Sequence, residues 1–128
     1  MKYKGTVLVA DDELHIRKFV GMILSQLGTE SILEAGNGEE AVATFEREKP
    51  KVVLLDVNMP FMNGLEALKK IKEIDPGCVA IMLTSLTTVE TVEEALALGA
   101  AGYILKDASK EEIASDLAET IDKCLESN

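Results

Sequence analysis

The chain has 128 residues, a length suited to one domain with one core. Its formal net charge of −10 opposes approach to a phosphate backbone, which argues against nucleic acid as a direct partner. No apolar run approaches the roughly 18 residues that cross a bilayer, and the opening MKYKGTVLVADDE stops on two aspartates before it can form a signal-peptide core. The expectation is a cytoplasmic protein with no membrane insertion. Cys78 and Cys124 belong to no C-x-x-C or Cys/His cluster and read as reduced, structural thiols. Without tandem repeats or a Pro/Ser-rich linker, residues 1–128 read as a single domain.

Thr6 to Ala10 reads as a first strand. From Glu13 to Leu27 the apolar residues Ile16, Val20, Ile23 and Leu27 recur at helical spacing, and Gly28 supplies a stop. Ser31 to Ala35 is a second, more polar strand that contains Glu34. Asn37 is placed to cap the next helix, with Glu40 completing a capping box and Pro50 following the helix end. Val52 to Asp56 is a third strand; Leu65, Leu68, Ile71 and Ile74 then form a helical stripe halted by Asp75-Pro76-Gly77. Val79 to Leu83 is a fourth strand, and Val89, Val92, Ala95 and Leu96 mark a helix that ends at Gly99. Gly102 to Leu105 is a short fifth strand. Ser109 and Glu112 offer a second capping box, and Ile113, Leu117, Ile121 and Cys124 give the final helix its apolar face.

Strands that alternate with helices imply a parallel sheet covered on both faces, consistent with strands almost continuously apolar. Right-handed crossovers leave few topologies, and the expected one is a flavodoxin-like, doubly wound (βα)5 α/β sandwich with strand order 2-1-3-4-5. The polar second strand suits an edge.

In such sheets ligands bind beyond the carboxyl ends of the strands, near the point where strand order reverses. Here strand one ends in Asp11-Asp12, strand three in Asp56, strand four in Thr84-Ser85 and strand five in Lys106. Neighbouring strands lie about 4.8 Å apart, which brings Asp56 and the Asp11-Asp12 pair close enough to share one cation. Magnesium, or manganese in its place, fits: it takes one or two carboxylates, keeps waters and leaves room for a phosphate oxygen. Thr84 lies one strand away and Lys106 two strands, roughly 10 Å, a gap that its long side chain partly closes. The group suits phosphoryl transfer onto a carboxylate, with Asp56 as in-line nucleophile, Lys106 and the cation neutralising phosphoryl oxygens, and Thr84 hydrogen-bonding another.

The residues V-A-D-D-E at 9 to 13, L-L-D-V-N-M-P-F-M-N-G at 54 to 64, M-L-T-S at 82 to 85 and G-Y-I-L-K-D at 102 to 107 together resemble the receiver domain of bacterial two-component response regulators. The resemblance spans essentially the whole chain, with the motifs in the family's order. Chemotaxis members of this family are standard examples of the 2-1-3-4-5 order, so the two expectations are not independent. The resemblance implies Asp56 as phosphoacceptor, Asp11 and Asp12 as metal-binding carboxylates, and the backbone carbonyl of Asn58 as a further metal ligand. It implies Lys106 and Thr84 as phosphate-sensing groups, and a Tyr103 that swings inward when Thr84 moves, remodelling the face formed by the fourth helix, fifth strand and fifth helix. The implied partners are a sensor histidine kinase or phosphotransfer protein upstream and a protein effector downstream, with a phosphorylation-dependent homodimer left open. The domain would assist its own phosphorylation and dephosphorylation and otherwise not be an enzyme. Asn58 and Leu86, two residues beyond Asp56 and Thr84, would tune the phosphoryl lifetime toward slow-to-moderate loss.

Each residue also has a plainer reading. Asp11-Asp12 and Thr84-Ser85 could cap helices, Asn63-Gly64 is an ordinary turn pair, and Tyr103 could be a static aromatic at the core edge. His15, with no second ligand nearby in sequence, reads as solvated. At Lys106-Asp107 the expected peptide bond is trans, because a cis bond before a non-proline residue costs roughly 3 kcal/mol. Three alternatives stay open: a receiver cut from a longer helix-turn-helix regulator, which G-Y-I-L-K-D-A-S also resembles; a pseudo-receiver that binds partners without phosphate; and a flavin carrier. An acidic first loop counts against the last, since a flavin phosphate favours Gly, Ser and Thr.

Overall fold

The computed structural model describes residues 1–85 and 88–126. Strands β1 (Thr6–Ala10), β2 (Ser31–Ala35), β3 (Val52–Leu55), β4 (Val79–Thr84) and β5 (Gly102–Leu105) alternate with helices α1 (Leu14–Gln26), α2 (Gly38–Glu48), α3 (Gly64–Ile74), α4 (Val89–Ala97) and α5 (Lys110–Glu126). The sheet is parallel with order β2-β1-β3-β4-β5, as the alternating pattern predicts. Among the strands two boundaries shift by one residue: β3 ends at Leu55, leaving Asp56 just beyond it, and β4 runs on to Thr84.

The period-two alternation of the strands sorts their side chains onto two faces. Leu8, Ala10, Val53, Leu55, Ala80 and Met82 pack with Phe45 of α2, Leu68 and Ile71 of α3 and Ala95 of α4. Val7, Val9, Val52, Leu54, Ile81 and Ile104 pack with Val20, Ile23 and Leu24 of α1 and Ile113, Leu117 and Ile121 of α5. Both faces of β3 and β4 are therefore buried, whereas β2 is mostly half-buried, as an edge strand with a Glu in it should be. Cys78 lies in the first cluster and Cys124 borders the second, so the sheet separates the two thiols.

The caps correct part of the sequence reading. The Asn37 side chain accepts from the Glu40 N–H at 2.8 Å, a one-way cap. The reciprocal box belongs to Asn63 and Glu66, each side chain accepting from the other's backbone N–H at 2.9 and 3.2 Å. Asn63-Gly64 is thus a helix start and not only a turn. Ser109 accepts from the Glu112 N–H at 3.1 Å while its hydroxyl donates to the Glu112 carboxylate at 3.3 Å, so it too caps without the reciprocal backbone bond. Asp11 and Asp12 do not occupy the N-cap of α1, where Glu13 stands without a side-chain cap. The N-cap of α4 is Thr88, leaving Thr84 and Ser85 free of that role. Among the described residues every peptide bond is trans.

Candidate functional site

Register brings the strand ends together. Ala10 pairs with Leu55, and Leu55 with Met82, so the residues that follow β1 and β3 emerge side by side. Asp56 N–H donates to the Ala10 carbonyl at 2.9 Å and Asp11 N–H to the Ala35 carbonyl at 3.0 Å, extending the ladder one residue past the strands. At the far side Lys106 N–H donates to the Thr84 carbonyl at 2.9 Å.

The loop after β3 is seated by two glycines where no side chain fits. A Cβ at Gly64 would lie 2.0 Å from the Asp56 carbonyl oxygen, and one at Gly38 would lie 2.0 Å from that of Met62. Gly64 N–H donates to the Val57 carbonyl at 2.8 Å, and Met62 N–H to that of Pro60 at 2.7 Å across Phe61, whose φ is 68°. The start of α3 thus holds the segment carrying Asp56 and Asn58 against the sheet.

Lys106 crosses the gap predicted from strand spacing. Its Nζ lies 2.5 Å from Asp11 Oδ2, 3.0 Å from Asp56 Oδ2 and 3.7 Å from Glu13 Oε1. The Lys106 side chain is 7% exposed and Asp11 fully buried, so these charges interact in a poorly screened setting. Burial pushes the Asp56 carboxyl up to about 6; Lys106 opposes this, Asp11 reinforces it, and the Asn58 N–H, 3.4 Å from Asp56 Oδ1, opposes it further. Burial works against the Lys106 ammonium, but hydrogen bonds and charge from Asp11 and Asp56 together lift its pKa above the ordinary value.

Asp11, Asp12 and Asp56 each offer a carboxylate oxygen, and these oxygens lie within 4.8 Å of one another. Asp11 Oδ2 is buried, touches Lys106 as an ion pair and has no aligned hydrogen-bond donor. A buried oxygen in that state, beside two more carboxylates and one lysine, is a donor set suited to a hard divalent cation. Asp12 is exposed, so the cluster opens to solvent on its side.

Thr84 is fully buried, and its side chain is hydrogen-bonded to the half-buried Tyr103, which packs against the α2–α4 side of the core. Burial raises the Tyr103 pKa and the Thr84 bond lowers it, the first effect being larger. His15 is exposed and lies 3.5 Å from Glu13, and among the described residues it belongs to no cluster of three metal-ligating side chains. Leu86 lies outside the described residues. Sequence reasoning missed two features. Glu13 adds a fourth carboxylate at the mouth of the site and donates its N–H to Asp11 Oδ1 at 2.8 Å. The Asn63-Glu66 box was legible as an Asn-x-x-Glu pattern before an apolar stripe.

A doubly wound sheet with a lysine-bridged carboxylate cluster at its switch point defines the class of fold and site. Residues 7–118 match the family described as the response regulator receiver domain, and the chain belongs to that family. The chemotaxis protein CheY of Thermotoga maritima is 38% identical over 100 residues, covering 78% of this chain and 83% of that protein. A CheY-like receiver domain from Methanospirillum hungatei superposes with a TM-score of 0.90 at 27% identity, covering 98% of this chain and 100% of the other. A chain from the complex of CheX and CheY with BeF3 and magnesium from Borrelia burgdorferi gives 0.83 at 29% identity, covering 94% and 88%. The chain spans 29% to 52% of the length of longer curated relatives, among them a protein-glutamate methylesterase and transcriptional regulators. No described helix is long and apolar enough to cross a membrane.

Proposed function

We propose that this chain, as a single receiver domain over residues 1–128, accepts a phosphoryl group on Asp56 from a phosphohistidine on a sensor kinase or phosphotransfer protein. The observation that carries this reading is Lys106 bridging Asp11 and Asp56, with Asp12 in the same oxygen cluster. Magnesium held by Asp11, Asp12, Asp56 and the backbone carbonyl of Asn58 would supply charge neutralisation for the phosphoryl oxygens. The Borrelia burgdorferi complex, which combines CheY with magnesium and BeF3, supports that assignment by kinship.

An Asp56 oxygen attacks phosphorus in line as the bond from phosphorus to the donor imidazole breaks, and the imidazole leaves with a proton. A carboxyl with a pKa near 6 is mostly ionised at neutral pH and competent as a nucleophile. Once Asp56 is esterified, its charge partnership with Lys106 changes and the ammonium turns to a phosphoryl oxygen. Thr84 hydroxyl has the same choice between Tyr103 and the phosphoryl group. That choice couples Asp56 to Tyr103 and to the α4–β5–α5 face where an effector binds, biasing two conformations. Asn58 lies beside the phosphorylated carboxylate, where it can bond a water and set the phosphoryl lifetime.

The test is intact mass after incubation with acetyl phosphate and magnesium. One added phosphoryl group, absent from Asp56→Asn and absent without magnesium, is expected. No addition to folded protein, either from acetyl phosphate or from a phosphorylated histidine phosphotransfer protein, would favour a module that binds partners without phosphate.

A further inference from the structure

We infer that Arg17 is a positioning residue for the divalent-cation site, a strut that holds the Asp11 end of the acidic loop against edge strand β2. The inference rests on the reading that Asp11, Asp12 and Asp56 bind magnesium.

Glu34, the carboxylate of edge strand β2, is held by two cationic side chains of α1. Its Oε1 accepts from Arg17 Nε at 3.0 Å and its Oε2 from Lys18 Nζ at 2.6 Å. Arg17, near the start of α1 and only 17% exposed, also turns its NH1 to the backbone carbonyl of Asp11 at 2.6 Å. One guanidinium therefore ties β2 to the residue that opens the acidic loop. A planar fork of donors suits two acceptors on different elements, whereas a lysine can serve as a point charge but not span both in fixed geometry.

The other atoms of Asp11 are fixed as well. Its N–H bonds to the Ala35 carbonyl, its Oδ1 accepts from Glu13 N–H, and its Oδ2 meets Lys106. The carbonyl is the group whose partner is a long side chain reaching from another element. Without Arg17 this fully buried residue loses a charge-assisted bond at its carbonyl, which loosens the backbone from which its carboxylate is aimed at the cluster.

Charge and geometry make opposite predictions here. A guanidinium beside a cation site repels the cation, so by Coulomb's law alone removing Arg17 tightens magnesium binding by about twofold or more. If Arg17 positions Asp11, removing it weakens binding by about tenfold, as loss of an outer-shell partner of a metal ligand commonly does.

The experiment titrates the full chain with magnesium alone by isothermal calorimetry at neutral pH, with far-UV circular dichroism and metal-free thermal midpoints as checks on folding. Arg17→Met is expected to bind about tenfold more weakly. Arg17→Lys keeps the charge but not the span, and should weaken binding by about threefold; Glu34→Gln, which loosens the anchor, should also weaken it. Lys18→Met removes a charge from Glu34 without touching Asp11 and should stay within about twofold of the parent. Should Arg17→Met not fold, Arg17→Lys and Glu34→Gln decide by the same criterion. Folded Arg17 variants with unchanged or tighter magnesium affinity overturn the inference, leaving a strut that serves stability only. A parent protein that binds no magnesium overturns the cation reading itself, and the inference with it.

Discussion

Asp56→Asn should make the metal-free protein more stable, even though it removes a partner of Lys106. Asp56 is 3% exposed, and its pKa rises from 3.8 to about 6 on folding. That shift corresponds to about 3 kcal/mol of penalty once the group is ionised in the folded state. A carboxyl whose folded pKa is raised favours folding in its protonated form. The advantage is full below pH 3.8 and is lost as pH rises through 6, so the penalty is complete above about pH 7 and roughly half as large at pH 5. An amide of the same shape carries no such penalty. Lys106 keeps Asp11 at 2.5 Å and Glu13 at 3.7 Å in the variant, which limits the loss on its side. The expected net gain is about 2 kcal/mol at pH 7.5, roughly 6–10 °C in thermal midpoint for a domain of this size. Urea unfolding in EDTA, followed by far-UV circular dichroism because the chain has no Trp, measures it at pH 7.5 and pH 5. A variant no more stable than the parent at pH 7.5, or a gain equal at the two pH values, refutes the reasoning. Magnesium should narrow the gap, since it stabilises the folded state of the parent more than that of the variant.

Lys106→Met should act in the opposite sense, leaving buried Asp11 and Asp56 without their ammonium and lowering metal-free stability by about 2–4 kcal/mol at pH 7.5, read by the same urea titration. Gly64→Ala places a methyl 2.0 Å from the Asp56 carbonyl and should cost several kcal/mol, on the order of 3, with slowed phosphorylation by acetyl phosphate. Gly21→Ala is its control: inside α1, with Ile32 Cδ1 at an ordinary 3.7 Å, it should stabilise by about 0.5–1 kcal/mol. Asn63→Ala removes the cap of α3 and should cost about 1 kcal/mol of unfolding free energy.

The fold was legible because each strand and helix announces itself by period and punctuation. Gly28, Pro50 and the Asp75-Pro76-Gly77 turn stand beside the ends of α1, α2 and α3. The acidic cluster was legible because register in a parallel sheet is nearly fixed once the apolar runs are aligned, so residues one step past β1 and β3 must be neighbours. Contacts set by side-chain reach across elements were not. Nothing in the spacing of Arg17, six residues after Asp11, says that a helix side chain will turn back to bond the Asp11 carbonyl while gripping Glu34 on another strand. The two glycine contacts were hidden for the same reason: nothing in the spacing says that the Asp56 carbonyl lies against Gly64 or that of Met62 against Gly38.

The three carboxylates of the cluster are held very differently, and the difference bears on how the site could be fixed and yet receive a phosphoryl group as proposed above. Asp11 is buried, hydrogen-bonded at its N–H, carbonyl and Oδ1 and ion-paired at Oδ2, and so defines a rigid wall. Asp12 is exposed, and water can reach the carboxylate cluster from its side. Asp56 is buried, and that burial raises its pKa against the pull of Lys106 and the Asn58 N–H, so loss of its charge relieves unfavourable energy already present in the folded protein. In the proposed reaction, esterification by a phosphoryl group would remove the carboxylate charge at that buried oxygen and set about two negative charges farther out. Under the proposed function, burial of the carboxylate charge favours its conversion to an ester, whereas Asp11 repels the charge that the phosphoryl group brings, and Lys106 and a bound cation would offset that repulsion. A substitution that lets water hydrate Asp56 should lower its pKa and reduce that advantage together.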